Sequence, residues 1–198
     1  MAVTEWNTTA GDWGPKRAKL WTLSNALACS RYQNLMHREC DLVEIGCRSN
    51  LCNSFCSGII QTNNHALYKT PEWYAQRLYA TQGLGRPLKI TPSFTADAVP
   101  DISAVRSNDG KTVTLFAVNP TTEDIERTID ISALSLGAAE ISIQTLSDRD
   151  RAGEPDAVNS FADPDRMSIA ESSFHADSPT FRYHFPALTL TVLRFEVG

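Results

Sequence analysis

No tryptophan follows Trp73, no cysteine follows Cys56, and Tyr183 is the only tyrosine beyond Tyr79. Residues 88–198 therefore cannot present an exposed row of indole rings, and a bracing role suits them better than a binding role. Positive charge is also short. Eighteen Lys and Arg against 23 Asp and Glu leave a net charge of -5 and a sequence pI of about 5.3. This excludes the basic footprint of a nucleic-acid partner. No apolar run approaches the roughly 20 residues of a membrane-spanning helix, so no membrane partner is expected. No charged-then-apolar leader opens the chain, and cytoplasmic and secreted locations both stay open. The five cysteines (Cys29, Cys40, Cys47, Cys52 and Cys56) are odd in number and contain no Cys-x-x-Cys pair. That argues against a disulfide framework and against the usual zinc spacing. A metal site from Cys47, Cys52 and Cys56 is the weaker reading beside buried free thiols acting as small apolar residues. Neither a metal nor a cofactor is expected.

What is present divides in two. A hydrophobic content of 42% over 198 residues supports one sizeable core or two small ones. Residues 1–90 carry ten Lys or Arg against six Asp or Glu, a net of +4; residues 91–198 carry eight against seventeen, a net of -9. All cysteines and tryptophans fall on the first side. The shift predicts two domains, 1–86 and 87–198.

The first segment reads strand, helix, strand, helix. Ala2–Glu5 is a short strand leading into Trp6 and Asn7. Pro15 suits the first turn of a helix over 15–38, with an apolar stripe of Leu20, Leu23, Leu27, Ala28, Tyr32 and Leu35. Residues 42–47 make a second strand, and Arg48-Ser49-Asn50 its polar exit. Thr70-Pro71-Glu72 starts a helix by its capping hydroxyl, its proline and its acid at the positive helix end, and Gly83 and Gly85 stop it. This order is the signature of parallel α/β units, which two strands alone cannot complete. After Pro87 come strands at Ile102–Arg106, Thr112–Val118, Ile125–Ile131, Ile141–Leu146 and Thr189–Val197. Asn108-Asp109-Gly110 reads as a hairpin turn, and residues 147–180 as a long acidic surface loop. This part reads as an antiparallel β-sandwich, jelly-roll-like. The whole is α/β plus all-β.

Thr4-Glu5-Trp6-Asn7 carries the chemistry. A carboxylate at the C-terminal end of a parallel strand sits where barrel enzymes keep their catalytic groups, and adjacent aromatic and amide groups can hold a sugar. A strand-end glutamate by itself is more often a cap or a surface charge. Asn50 is either an amide near the site or a turn residue after its strand. Trp6 and Trp13 are either pocket walls or, respectively, core and loop closure. His37 and His65 have no ligand-spaced partner and read as helix-surface and loop residues. Asn7-Thr8-Thr9 matches the glycosylation pattern beside the candidate site and is treated as a chance match.

Five segments together resemble one enzyme family. They are Glu5-Trp6-Asn7 after a short apolar strand, Leu42–Cys47, Ser49-Asn50-Leu51-Cys52-Asn53-Ser54, Thr70-Pro71-Glu72-Trp73-Tyr74-Ala75-Gln76, and the ending Phe185–Leu193. Their order resembles the C-terminal part of retaining α-L-arabinofuranosidases of glycoside hydrolase family 51, over nearly the whole chain. The resemblance implies the last two strand–helix units of a TIM (β/α)8 barrel followed by the sandwich. It implies Glu5 as nucleophile and Trp6, Asn7, Trp13 and Asn50 around the sugar. It also implies removal of terminal non-reducing α-L-arabinofuranosyl groups from hemicellulose and pectin side chains, as part of L-arabinose metabolism. The partner is then an arabinose-containing oligo- or polysaccharide, and a homo-oligomer is compatible with the full-length enzyme. The family's acid/base lies in an Asn-Glu pair on an earlier strand. This chain has no such dipeptide, so that residue is expected upstream, and the chain by itself is expected to be an inactive fragment.

Overall fold

Alternation along the strands after residue 100 decides the architecture, because both sides of the main sheet are apolar. The computed structural model describes residues 1–8, 19–54, 58–91, 98–134 and 139–197. The first part holds β1 (Ala2–Trp6), α1 (Leu23–Arg38), β2 (Ile45–Arg48), β3 (Ile60–Thr62), β4 (Leu67–Lys69) and α2 (Pro71–Gln82). There follow β5 (Arg86–Leu88), β6 (Asp101–Arg106), β7 (Thr112–Asn119), β8 (Ile125–Asp130), β9 (Ala139–Asp148), β10 (Met167–Ala176), β11 (Thr180–Phe185) and β12 (Thr189–Glu196). The fold is mostly β with two α-helices among the described residues.

Six strands form one antiparallel sheet in the order β10-β9-β12-β7-β6-β5, and β11 pairs with β8 as a separate two-stranded sheet. In β12, Leu190 and Val192 point to one face while Leu193 and Phe195 point to the other, the two-residue period of a strand. Leu193 and Phe195 join Ile141, Ile143, Phe181 and Phe185 in a core closed by β8 and β11. Leu190 and Val192 join Phe116, Val118 and Leu146 under Leu23, Leu27, Leu78 and Tyr79 of the two helices. The sheet is thus the middle of three layers. Central β12 is buried at every position from Thr189 to Leu193, as a strand covered on both faces must be.

The structure departs from the sequence reading in several places. Residues 147–180 are not one long loop: they contain β10 and the start of β11, and β10 pairs residue for residue with β9. The polar residues of β10 misled because it is an edge strand with an exposed middle. The small β3–β4 hairpin lies in a stretch with no strand predicted. The expected boundary after residue 86 falls inside β5, which pairs with β6 in the main sheet. Helix α1 starts at Leu23 after a 3-10 turn, and residues 9–18, with the predicted helix start at Pro15, lie outside the described residues. Its buried face is Leu23, Ala26, Leu27, Cys29, Ser30, Gln33 and Asn34, leaving Ala28, Tyr32 and Leu35 exposed.

That partly polar face has a purpose. Asn34 Nδ2 donates to Asp101 Oδ1 (2.7 Å) and Asp101 O (3.0 Å), while its Oδ1 accepts from Ser103 Oγ (2.7 Å) and Tyr79 Oη (2.7 Å). Arg38 reaches the same Asp101 carboxylate at 3.1 Å. His37 Nδ1 lies 2.9 Å from Ser103 Oγ, so His37 sits in this helix–sheet junction and not on a free helix surface. At the other end of α1, the first backbone donors Leu23 N and Ser24 N reach Ala157 O and Pro155 O. These are orphan donors in any isolated helix.

Candidate active site

β1 and β2 lie side by side and parallel, Ala2 opposite Ile45 and Val3 opposite Gly46, with a register shift before Trp6 meets Arg48. Gly46 packs closely under α1: a Cβ there would come within 2.8 Å of Met36 Sδ, so the methionine end would have to shift. Successive strand residues face opposite ways. The Trp6 ring is buried, 5.2 Å from the Tyr32 ring. Glu5 is exposed.

The polar groups around the strand ends converge on Ser49. Its Oγ accepts from Asn7 Nδ2 (3.0 Å) and Asn50 Nδ2 (3.1 Å), and Asn50 Oδ1 accepts from Ser54 Oγ (2.8 Å). Asn50 adopts a left-handed backbone (φ 62°), which asparagine tolerates better than most residues, so its turn role is real. Asn7 and Asn50, 43 positions apart, are therefore brought into one amide–hydroxyl–amide cluster. Trp13 lies outside the described residues.

Below this cluster is an ion pair not anticipated from sequence. Arg48 Nε donates to Glu72 Oε1 at 2.6 Å, and both side chains are only 2% exposed. Asn25 Nδ2 reaches the other Glu72 oxygen at 3.3 Å. Arg48 Nη1 donates to Trp6 O (3.3 Å) and to Ser49 O, and its guanidinium lies 5.3 Å from the Trp6 ring centre. Glu72 was legible as a helix-start acid, and Arg48 as the first residue of a polar strand exit; nothing in their spacing says that they meet. The nearby Cys29 thiol is pushed well up by burial first and by the Glu72 carboxylate second, with Arg48 pulling the other way. Cys47 and Cys52, in contrast to the buried-thiol expectation, are exposed, and Cys56 lies outside the described residues.

Among the described residues no three His, Cys, Asp or Glu side chains gather as a metal site would require. A cleft of about 430 Å³ lies between the C-terminal halves of α1 and α2 and the start of β2, lined by Gln33, Met36, Glu44 and Gln76 among others. It is at the end of β2 remote from Ser49, so it is separate from the Asn7–Ser49–Asn50 cluster.

The family model described as the alpha-L-arabinofuranosidase C-terminal domain matches residues 4–189. An alpha-L-arabinofuranosidase from Thermotoga maritima, solved as an arabinose complex, has 20% identity and a TM-score of 0.79, over 98% of this chain and 42% of that one. A thermostable family 51 enzyme from Thermotoga petrophila has 21% identity and a TM-score of 0.80, over 98% of this chain and 43% of that one. A bifunctional glucanase-xylanase from a metagenome library has 19% identity and a TM-score of 0.60, over 100% of this chain and 31% of that one. The chain thus spans less than half the length of these similar structures. No curated protein matches.

Proposed function

This chain belongs to the family of α-L-arabinofuranosidase C-terminal domains, and from that premise we propose that it is the C-terminal part of a retaining α-L-arabinofuranosidase. The segment from β1 to α2 then supplies the last two strand–helix units of a (β/α)8 barrel, and the chain from β5 onward the sandwich that braces them. The observation that carries the reading is the parallel β1–β2 pair with exposed Glu5 near the end of its strand. Catalytic carboxylates of barrel enzymes occupy this place. Apolar groups left open on the same units support it: Leu42 and Ile45 at β2 and Tyr32 and Leu35 on α1 are surfaces that neighbouring barrel units would cover.

In this reading the Glu5 carboxylate attacks the anomeric carbon of a terminal arabinofuranosyl group and forms a glycosyl ester. An upstream carboxylic acid, about 5–5.5 Å away, protonates the leaving oxygen and then activates the water that releases L-arabinose. Asn7 and Asn50 hold sugar hydroxyls from their shared cluster, and Trp6 backs the strand end. The arabinose complex of the Thermotoga maritima enzyme supports an arabinose-containing substrate. The likeness to a glucanase-xylanase supports the second reading, a retaining barrel glycosidase of other sugar specificity. The test is Glu5→Ala in the complete enzyme with an aryl α-L-arabinofuranoside. A loss of turnover of about 10³-fold or more with the fold intact is expected, and near-parental hydrolysis would overturn the assignment.

A further inference from the structure

β1 is held irregularly where its chemistry lies. Its ladder to β2 is in register at Ala2 and Val3, slips, and resumes at Trp6 opposite Arg48. The regular ladder therefore does not carry through Thr4 and Glu5, and something else must set the direction in which Glu5 leaves the strand. Irregularities of this kind re-aim side chains next to active sites.

Arg48 is built to do this. Its Nη1 donates at 3.3 Å to the carbonyl oxygen of Trp6, the residue after Glu5, beside the Ser49 N–H that reaches the same oxygen at 3.1 Å, and to the carbonyl of Ser49, whose side chain carries the Asn7–Asn50 cluster. Its Nε is anchored at 2.6 Å on Glu72 in the first turn of α2, and Glu72 is tied to α1 through Asn25. One planar fork thus references two strand ends to two helices. Lysine, a point charge on a flexible stem, cannot span those directions at once. An ion pair so fully enclosed contributes little stability beyond an apolar pair of the same volume. Holding the fold together is thus a weak reason for its being here, and geometry at the strand ends is a better one.

We propose that the enclosed Arg48–Glu72 pair is the positioning device for the Glu5 carboxylate, aligning it for attack by fixing the Trp6 and Ser49 carbonyls. This rests on the reading of Glu5 as nucleophile. Neither Arg48 nor Glu72 touches substrate in this scheme; each acts through the backbone that presents Glu5 and through Ser49.

The experiment uses the complete enzyme with Arg48→Lys, Glu72→Gln and the apolar double replacement Arg48→Met with Glu72→Leu. Thermal midpoint, circular dichroism, KM and the single-turnover rate of phenol release from an aryl α-L-arabinofuranoside are read for each. Misplacing a nucleophile by about 1 Å costs about 10²-fold in rate. That loss is expected in single-turnover rate for Arg48→Lys and for the double variant, with KM within about threefold of the parent. Folded variants with parental single-turnover rates would show the pair to be purely structural and overturn the proposal. If the double variant fails to fold, Arg48→Lys and Glu72→Gln, which keep charge or shape, decide by the same readout. Glu5→Ala measured alongside separates the two claims. An active Glu5→Ala sinks the nucleophile reading itself, whereas an inactive Glu5→Ala with fully active Arg48 variants sinks only the positioning role.

Discussion

Acidification should loosen the seat of α1 on the sheet, and His37 sets the window. Its ring is wedged 5.5 Å from both the Tyr79 and the Phe116 ring centres. Ser103 Oγ gives its hydrogen to Asn34, so it can only accept from His37, and the neutral ring carries its hydrogen on Nδ1. Burial first, and the Arg38 guanidinium second, take the His37 pKa from 6.5 down to about 4. Asp101 and Tyr79 are the other ionisable groups at this junction. Because the folded value is depressed, the unfolded chain binds a proton near pH 6.5 that the folded one refuses until about 4. The stability that neutral His37 contributes is therefore complete above pH 6.5, falls as the pH drops from there, and is gone below about 4. At about 1.4 kcal/mol per pH unit, this window corresponds to a loss of about 3 kcal/mol, reduced by whatever water reaches the ring. Urea unfolding in dilute solution over this pH range, for the parent chain and His37→Asn, measures it. The variant loses ring packing at every pH but lacks the His37 slope, so the gap between the two curves should close on acidification by that amount. A constant gap, or a ring titration by NMR centred near 6.5, would refute the argument.

Three further outcomes are expected. Asn34→Ala removes four short hydrogen bonds at a fully buried site and should cost about 2–4 kcal/mol, read as a lowered urea midpoint; a change too small to resolve would mean that water replaces the amide. A thiol reagent should label the exposed Cys47 and Cys52 quickly, while Cys29, enclosed and with its thiol pKa pushed up, should react only on unfolding. The 198-residue chain expressed by itself should show no significant arabinofuranosidase activity and should self-associate through its open barrel-side surfaces. A monomer that hydrolyses an arabinofuranoside at ordinary enzymatic rates would instead assign the acid's work to a residue within the chain.

Local pattern was enough to read the parallel pair, α2, the Asn108-Asp109-Gly110 turn and the family, because those signals are short-range. Alternation, a Thr-Pro-Glu helix start, a left-handed turn and motif order are all written within a few neighbouring residues. The strand-exit positions of Asn7 and Asn50 were legible for the same reason, but not that both meet at Ser49. β10 was not, since an edge strand needs few apolar residues and its identity comes from pairing with β9. The polar face of α1 was unreadable too. Gln33 and Asn34 look like solvent residues until Asp101, Ser103 and Tyr79 arrive from 45 or more positions away to satisfy Asn34. Arg48 and Glu72 likewise read as two surface charges, and only the approach of α2 to the strand ends turns them into one enclosed pair. By itself, then, the order of residues determined the parallel pair, the helix at α2, the core strands with clear alternation and the family. Tertiary structure alone decided which polar side chains are buried, because burying a charge or an amide is tolerated only where distant parts of the chain supply its partner.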